Sequence, residues 1–203
     1  MLFLTFFIGL ITSYLGMITP SMLNITVLKI SLEKGEKQAI NYAIGVATIV
    51  ILQGFIALYF LKVILNNPII LETLESIAVF LFAILSFFFF RKAIQEKKQM
   101  EVKPSNLNGF FTGVGLSSIN LFAVPFYCSV GAIINMYGYL QLELIDILLF
   151  VLGSTLGTFL ILYNYIILAE KIKPRIIPIT KYLNFILGGI TGIVALITFI
   201  KIL

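Results

Sequence analysis

The 203-residue sequence contains no histidine and only one cysteine, Cys128. Histidine is the commonest general base and the commonest transition-metal ligand, so its absence argues against hydrolytic and metal-dependent chemistry. A lone cysteine excludes an intrachain disulfide and any paired-thiol redox chemistry. The composition therefore predicts a protein that is not an enzyme and that holds no metal or other cofactor.

Charged residues are also scarce. They make up 11% of the chain, against about 25% in soluble domains, while 60% of the residues are hydrophobic. Long stretches carry no charge, which is typical of a chain buried in lipid. The net charge of +5 would suggest nucleic-acid binding in a soluble protein, but here it indicates loops beside an anionic leaflet of the cytoplasmic (inner) membrane.

The beginning of the chain has no basic segment before its apolar run and no small-residue cleavage site after it. We therefore expect a retained membrane span and not a cleaved signal peptide. The whole chain, residues 1–203, is predicted to be one transmembrane domain in contact with the lipid bilayer and not with nucleic acid.

Charge-free runs divide the chain into six predicted spans. Each has the roughly 20 residues that a hydrocarbon core about 30 Å thick requires. Because unpaired backbone groups are not tolerated in lipid, all six are expected to be helices. The spans run from about Leu2 to Leu28, Gln38 to Leu61, Ile69 to Phe90, Ser105 to Asn135, Leu144 to Ala169 and Ile176 to Ile200.

Basic residues are distributed unequally between the two sides of this arrangement. Of the 14 lysines and arginines, only Lys62 and Lys201 fall outside the first, third and fifth loops. The positive-inside rule makes those three loops cytoplasmic and puts both termini outside. The longest loop, about 91–108, separates halves of about 1–92 and 105–203. With three spans each, the halves have opposite orientations, so we expect the inverted repeat of a secondary transporter.

Two prolines are predicted to break the first and fourth spans. Pro20 and Pro125 each remove a helical hydrogen bond, and the freed carbonyls need new partners in lipid. The neighbouring polar residues are Thr19, Ser21 and Asn24 in the first span, and Ser117, Ser118, Asn120 and Ser129 in the fourth. Broken helices at equivalent places are typical of midplane substrate sites, where a half-helix N-terminus binds a carboxylate. The alternative is a structural kink whose polar neighbours satisfy the backbone locally.

Other polar residues lie inside the second and fifth spans. Gln53 is costly to bury without a purpose, so it is predicted to be a gate or a substrate contact. For Thr48, Ser154, Thr155 and Thr158 we favour helix–helix hydrogen bonds over a role in the pathway. No charged residue lies in the middle of any span, which argues against an intramembrane proton relay.

Glycine pairs at four-residue spacing indicate close helix packing. We favour packing within one molecule, although the same pairs are compatible with a homo-oligomer. The pairs are Gly109/Gly113, Gly153/Gly157 and Gly188/Gly192.

Several residues resemble the LysE-type (lysine exporter, RhtB-like) amino-acid exporter family. In the first half these residues are Pro20, Ser31-Leu32, Gly35 and Gly45, and in the second half Phe110, Gly113 and Asn120. The resemblance covers nearly the whole chain. It implies six spans and the export of amino acids or similar metabolites, typically driven by the proton gradient.

The sequence departs from the family pattern at three places. Ser21-Met22 replaces the Gly-Pro of a Pro-Gly-Pro turn, and Leu121 replaces the proline after the asparagine. The acidic residue that many members carry soon after the second-helix glycine, here Gly45, is missing. Its absence favours a neutral zwitterion over a cationic substrate and argues against proton coupling.

We therefore predict a secondary transporter that exports an amino acid or a similar small zwitterion by alternating access. The predicted substrate contacts are Thr19, Pro20, Ser21, Asn24, Gln53, Asn120 and Pro125. Two alternatives stay open: a carrier of another small solute without proton coupling, and a membrane scaffold that transports nothing.

Overall fold

The computed structural model describes residues 2–18, 21–67, 108–120 and 122–169, together with positions 83, 84, 86, 87, 91, 171, 189, 192, 193, 196 and 200. Within these ranges the protein is all-helical, as predicted. The helices are α1 (Leu2–Gly16), α2 (Met22–Lys34), α3 (Glu36–Leu65), α4 (Gly109–Ser118), α5 (Ala123–Met136) and α6 (Leu144–Ile167). The predicted third and sixth spans lie outside the described residues, apart from isolated positions.

Two of the described helices are long and apolar enough to cross a membrane. These are α3, with 30 residues, and α6, with 24 residues, and they correspond to the predicted second and fifth spans. Together, α4 and α5 make a third candidate span that is bent by 66° at their junction. The helical membrane class predicted from the composition is thereby confirmed.

The predicted first and fourth spans are each divided into two helices. In the first, α1 ends at Gly16 and α2 begins at Met22, while Thr19 and Pro20 lie outside the described residues. In the fourth, α4 ends before residue 119 and α5 begins at Ala123. Pro125 therefore stands in the first turn of α5, where a proline has no intrahelical hydrogen bond to lose. The interruption of the fourth span lies upstream of Pro125 and not at it.

The chain divides into two compact units, each built from both halves of the sequence. The first unit contains residues 1–63 and 104–174, and the second contains residues 64–103 and 175–203. In the second unit, a Cβ added at Gly192 would lie 2.9 Å from the Ser86 hydroxyl oxygen. The helix contacts and the candidate site described below all belong to the first unit.

In the described part of the first unit, apolar residues form exposed stripes and a set of polar residues is buried. Phe3, Phe7, Ile11 and Leu15 form one exposed stripe of α1. The buried polar residues are Thr5, Ser13, Asn24, Thr26, Gln53, Ser117, Asp146, Ser154 and Thr158. Exposed apolar stripes around an interior that holds polar residues are typical of helices surrounded by lipid.

Glycines bring α1 and α6 into backbone contact. A Cβ added at Gly153 would overlap the Phe6 carbonyl oxygen, and one added at Gly157 would overlap that of Leu10. The contacts advance in the same direction along both helices, so α1 and α6 run parallel.

The pair α3 and α4 is built in the same way. A Cβ added at Gly45 would overlap the Phe110 carbonyl oxygen, and one added at Gly113 would overlap that of Tyr42. Further towards the N-termini of both helices, Gly109 donates its N–H to the Gln38 side chain at 3.0 Å. These contacts again advance together, so α3 and α4 also run parallel.

One short pattern underlies both helix pairs: an aromatic residue followed three positions later by glycine. In each pair, both glycines lie against the carbonyl oxygen of the partner helix's aromatic residue. The pattern comprises Phe6 and Gly9 in α1, Tyr42 and Gly45 in α3, Phe110 and Gly113 in α4, and Phe150 and Gly153 in α6. The intramolecular packing that we favoured for the pairs Gly109/Gly113 and Gly153/Gly157 is thus confirmed.

Candidate functional site

The candidate site lies at two helix junctions, one between α1 and α2 and the other between α4 and α5. We call these the first break (residues 17–21) and the second break (residues 119–122). At each break, carbonyl groups lose their helical partners and lie in a low-dielectric interior, where an unpaired polar group is costly. At both breaks an amide side chain supplies the replacement hydrogen bond.

At the first break, hydrogen bonds within the protein reach the polar groups of the described residues Met17, Ile18 and Ser21. The buried Asn24 donates from Nδ2 to the Met17 carbonyl at 2.6 Å, and its Oδ1 accepts from the Ser21 hydroxyl at 3.3 Å. Ser21 is also the N-cap of α2, since its hydroxyl oxygen accepts from the Asn24 backbone N–H. Tyr165 of α6 donates to the Ile18 carbonyl at 3.0 Å.

The second break leaves polar atoms without partners. Gln53 of α3 donates from Nε2 to the carbonyls of Ser117 at 2.9 Å and Asn120 at 3.3 Å. Its Oε1 is buried and makes no hydrogen bond among the described residues, and the same is true of the Ser117 hydroxyl. Leaving a buried polar group unsatisfied costs about 1–3 kcal/mol, so native proteins rarely do it without a reason.

Among the serines and threonines of the described helices, Ser117 is the one whose buried hydroxyl makes no hydrogen bond. Six of the others donate to the carbonyl four residues earlier, which is how a serine or threonine is normally satisfied inside a helix. Those that do so are Thr26, Thr48, Thr112, Ser118, Ser129 and Thr155. Ser117 is completely buried and has no such bond.

Ser13 occupies the position in α1 that Ser117 occupies in α4, four residues after the aromatic-glycine pattern. Its hydroxyl bonds across the helix interface to the Tyr127 hydroxyl at 2.6 Å and to the Thr158 hydroxyl at 3.1 Å. The two serines are equally buried. Only the one beside the first break is satisfied by the protein itself.

The N-termini of α2 and α5 also differ, because a side chain caps only one of them. Ser21 caps α2, whereas no side chain in the described part of the chain makes a capping hydrogen bond to α5. At the start of α5, Ala123 donates its N–H to the Asn120 carbonyl at 3.4 Å and Pro125 has no N–H, so this end attracts an anion mainly through the partial positive charge of the helix.

The site lies deep in the hydrophobic part of the chain. At 1.5 Å per residue, Gln53 stands about 26 Å from Glu36 and about 18 Å from Leu65 along α3. Gln53, Ser117 and Asn120 are all uncharged, so the second break offers dipoles and hydrogen bonds but no fixed charge.

The predicted site residues fall into separate groups. Ser21 and Asn24 meet at the first break; Gln53 and Asn120 meet at the second. Asn120 is half-buried, and its carboxamide is bonded to no other described residue. Pro125 lies exposed in α5, two residues after its start.

Of the four polar residues for which we favoured helix–helix hydrogen bonds, Ser154 and Thr158 make them, and Thr48 and Thr155 do not. Ser154 donates to the Gly9 carbonyl at 3.2 Å, and Thr158 joins the Ser13 network. Thr48 and Thr155 bond within their own helices.

Sequence reasoning missed the tyrosines that complete these networks. Tyr127 and Tyr165 are buried, and each uses its hydroxyl at a contact with α1 or the segment after it. A signal was available, because a tyrosine buried in a charge-free span needs a hydrogen-bond partner for its hydroxyl. Ser117 was noted in the polar cluster of the fourth span, three residues before Asn120, but this spacing did not indicate that its hydroxyl would have no partner.

Broken helices, buried uncharged polar groups and apolar outer faces define a helical membrane protein with an internal polar site. The family follows from the sequence match: residues 14–201 match the model of the LysE type translocator, and the chain belongs to that family. No curated protein and no solved structure matches the chain. The family resemblance inferred from the residues is confirmed, and the protein is a membrane translocator.

Proposed function

We propose that this protein is a secondary transporter that exports a neutral, zwitterionic amino acid or a similar small metabolite across the cytoplasmic membrane. The observation that carries the proposal is the pair of unsatisfied buried atoms at the second break, Gln53 Oε1 and Ser117 Oγ. Membership of a translocator family supports transport of amino acids or related solutes. A scaffold would have no need of unsatisfied polar atoms in its interior.

The second break is the proposed main binding site, with Gln53 and Asn120 as contacts. An uncapped α5 N-terminus suits the carboxylate of an amino acid. Asn24 and Ser21 are assigned to supporting the first break, because their polar groups already bond to each other and to Met17. We retain Thr19, Pro20 and Pro125 as proposed contributors to the geometry of the two breaks.

Six spans in two inverted halves are part of the proposal. The matching aromatic-glycine contacts of α1 with α6 and of α3 with α4 support it, because exchanging the two halves converts one helix pair into the other. The parallel direction within each pair is also what alternating spans require of the first and fifth, and of the second and fourth.

Alternating access is the proposed mechanism. The glycine contacts tie helices of the first half directly to helices of the second. Close backbone packing resists sliding, so we propose that α1, α3, α4 and α6 move as one body. The breaks would then allow α2 and α5 to change angle.

The orientation is proposed from the distribution of basic residues. Twelve of the 14 lie in the first, third and fifth loops, which makes these loops cytoplasmic and leaves both termini outside. Lys34 and Lys37 lie at the α2–α3 connection, which the proposal puts on the cytoplasmic side, and Lys29 lies in the second half of α2.

Flux into liposomes tests the proposed function. Purified protein would be reconstituted, and counterflow of each of the twenty amino acids would be measured with and without a pH gradient. We expect flux of one or more neutral amino acids and little dependence on the gradient, because no aspartate, glutamate, lysine or arginine lies mid-span. Flux that requires the gradient would contradict the uncoupled mechanism, and no flux of any amino acid would contradict the function.

A further inference from the structure

The unsatisfied atoms at the second break indicate which chemical group of the ligand binds there. We propose that Gln53 Oε1 and Ser117 Oγ together bind the protonated amine of the transported solute. The inference rests on the proposed function and adds to it a further binding residue, Ser117, and the chemical group that Gln53 and Ser117 recognise.

The orientation of the Gln53 carboxamide is fixed by its two partners. Both are carbonyl oxygens, those of Ser117 and Asn120, and a carbonyl can only accept. The nitrogen of the amide must therefore face them, and Oε1 faces the other way. This oxygen is buried and has no hydrogen-bond partner among the described residues, so it can accept a hydrogen bond from a ligand.

The Ser117 hydroxyl is held out of the usual serine arrangement. It makes no bond to the carbonyl of Gly113, four residues earlier, although its neighbour Ser118 donates to the Val114 carbonyl at 2.8 Å. The hydroxyl of its counterpart Ser13 is already hydrogen-bonded to the hydroxyls of Tyr127 and Thr158. Of the two serines, Ser117 alone has its full hydrogen-bonding capacity left for a ligand.

The ligand group must be a donor, because an amide oxygen has no proton to give. A carboxylate is excluded by the same argument, whereas a protonated amine supplies three N–H donors. Ser117 also belongs to the last turn of α4, whose C-terminus carries partial negative charge and favours a cation.

The adjoining helix end completes the recognition of a zwitterion. The N-terminus of α5 follows within a few residues and carries the opposite partial charge. A solute with an amine and a carboxylate on neighbouring atoms suits two helix ends of opposite polarity. A cation without a carboxylate would bring net charge into an uncharged, buried site, which is costly.

The substitution Ser117→Ala tests the inference. It removes one ligand-binding atom and breaks no hydrogen bond within the protein, so we expect unchanged thermal unfolding. Ser118→Ala is the matched control, since that exposed hydroxyl bonds only to its own helix. Probes would be alanine, leucine and threonine, each paired with the acid that lacks the amine: propionate, 4-methylpentanoate and 3-hydroxybutyrate.

In counterflow and competition assays, wild type should prefer the amino acid to its paired acid. Losing a hydrogen bond to a charged group should raise the half-saturating amino-acid concentration about 10- to 100-fold in Ser117→Ala and abolish most of that preference. Ser118→Ala should stay close to wild type in affinity and preference.

The outcomes separate the inference from the function that it rests on. Wild-type flux with unchanged affinity in Ser117→Ala would overturn the inference alone. Equal weakening of amino acid and paired acid would also overturn it, and would indicate a structural or water-binding hydroxyl. Absence of wild-type flux for all twenty amino acids would overturn the proposed function itself.

Discussion

Among single residues, the contrast between Asn24 and Gln53 matters most. Each is a buried amide that takes over carbonyl groups at a helix break. The other end of Asn24 is bonded to Ser21, but the other end of Gln53 is bonded to none of the described residues. One amide therefore completes the local structure, while the other keeps an acceptor available.

Because the first break is bonded within the protein and the second keeps unpaired atoms, we predict different effects for alanine substitutions of Asn24 and Asn120. Asn24→Ala leaves the Met17 carbonyl buried without its 2.6 Å partner, so the free energy of unfolding should fall by about 1–3 kcal/mol. Asn120→Ala removes no intramolecular hydrogen bond and should change it by less than about 0.5 kcal/mol, while amino-acid flux falls. Unfolding in detergent and liposome flux would measure both. Equal destabilisation by the two substitutions would contradict the distinct roles.

The sequence alone could not show that Asn24 has a structural role and Asn120 a proposed binding role. It predicted both Asn24 and Asn120 as substrate contacts, because each lies three residues from a serine on one helix face. Which polar atoms remain unpaired depends on contacts between distant segments, such as Gln53 with Ser117. Spacing along a single helix carries no information about such contacts.

At the scale of helices, glycine determines which elements touch. Four glycines, Gly9, Gly45, Gly113 and Gly153, allow backbones to meet at positions where any side chain would overlap a carbonyl. Such contacts rely on van der Waals packing, since lipid supplies little hydrophobic drive for helix association.

Two glycines of α4 provide a matched test. A Cβ at Gly113 would overlap the Tyr42 carbonyl oxygen, whereas a Cβ at Gly115 would meet nothing within 4 Å. Gly113→Ala should lower the free energy of unfolding by about 1–3 kcal/mol, because α3 and α4 must separate. Gly115→Ala should be neutral or stabilising, since alanine favours the helix. Similar thermal unfolding of the two variants would show that the α3–α4 contact is looser than described.

Helix positions were more predictable than helix interruptions. The predicted start of the fifth span at Leu144 coincides with that of α6, and α3 extends the predicted second span at both ends. Hydropathy locates such uninterrupted segments well. The prediction at Pro125 erred because a proline is equally compatible with the interior of a kinked helix and with the first turn of a new one.

For the whole molecule, the parallel helix pairs agree with the alternation of spans that the basic residues predict. The halves of the chain interlock within the first unit, because α1 packs on α6 and α3 packs on α4. We propose that the internal site at the second break is where this transporter binds its solute.

Protection of a cysteine at the second break tests that claim most directly. With Cys128 replaced by serine, Asn120→Cys would be alkylated in liposomes with and without the amino acid that shows the highest flux. Met136→Cys, exposed at the far end of α5, is the control. We predict that the amino acid slows alkylation at position 120 several-fold and leaves position 136 unaffected. Equal alkylation rates at position 120 with and without saturating amino acid would contradict the location of the site.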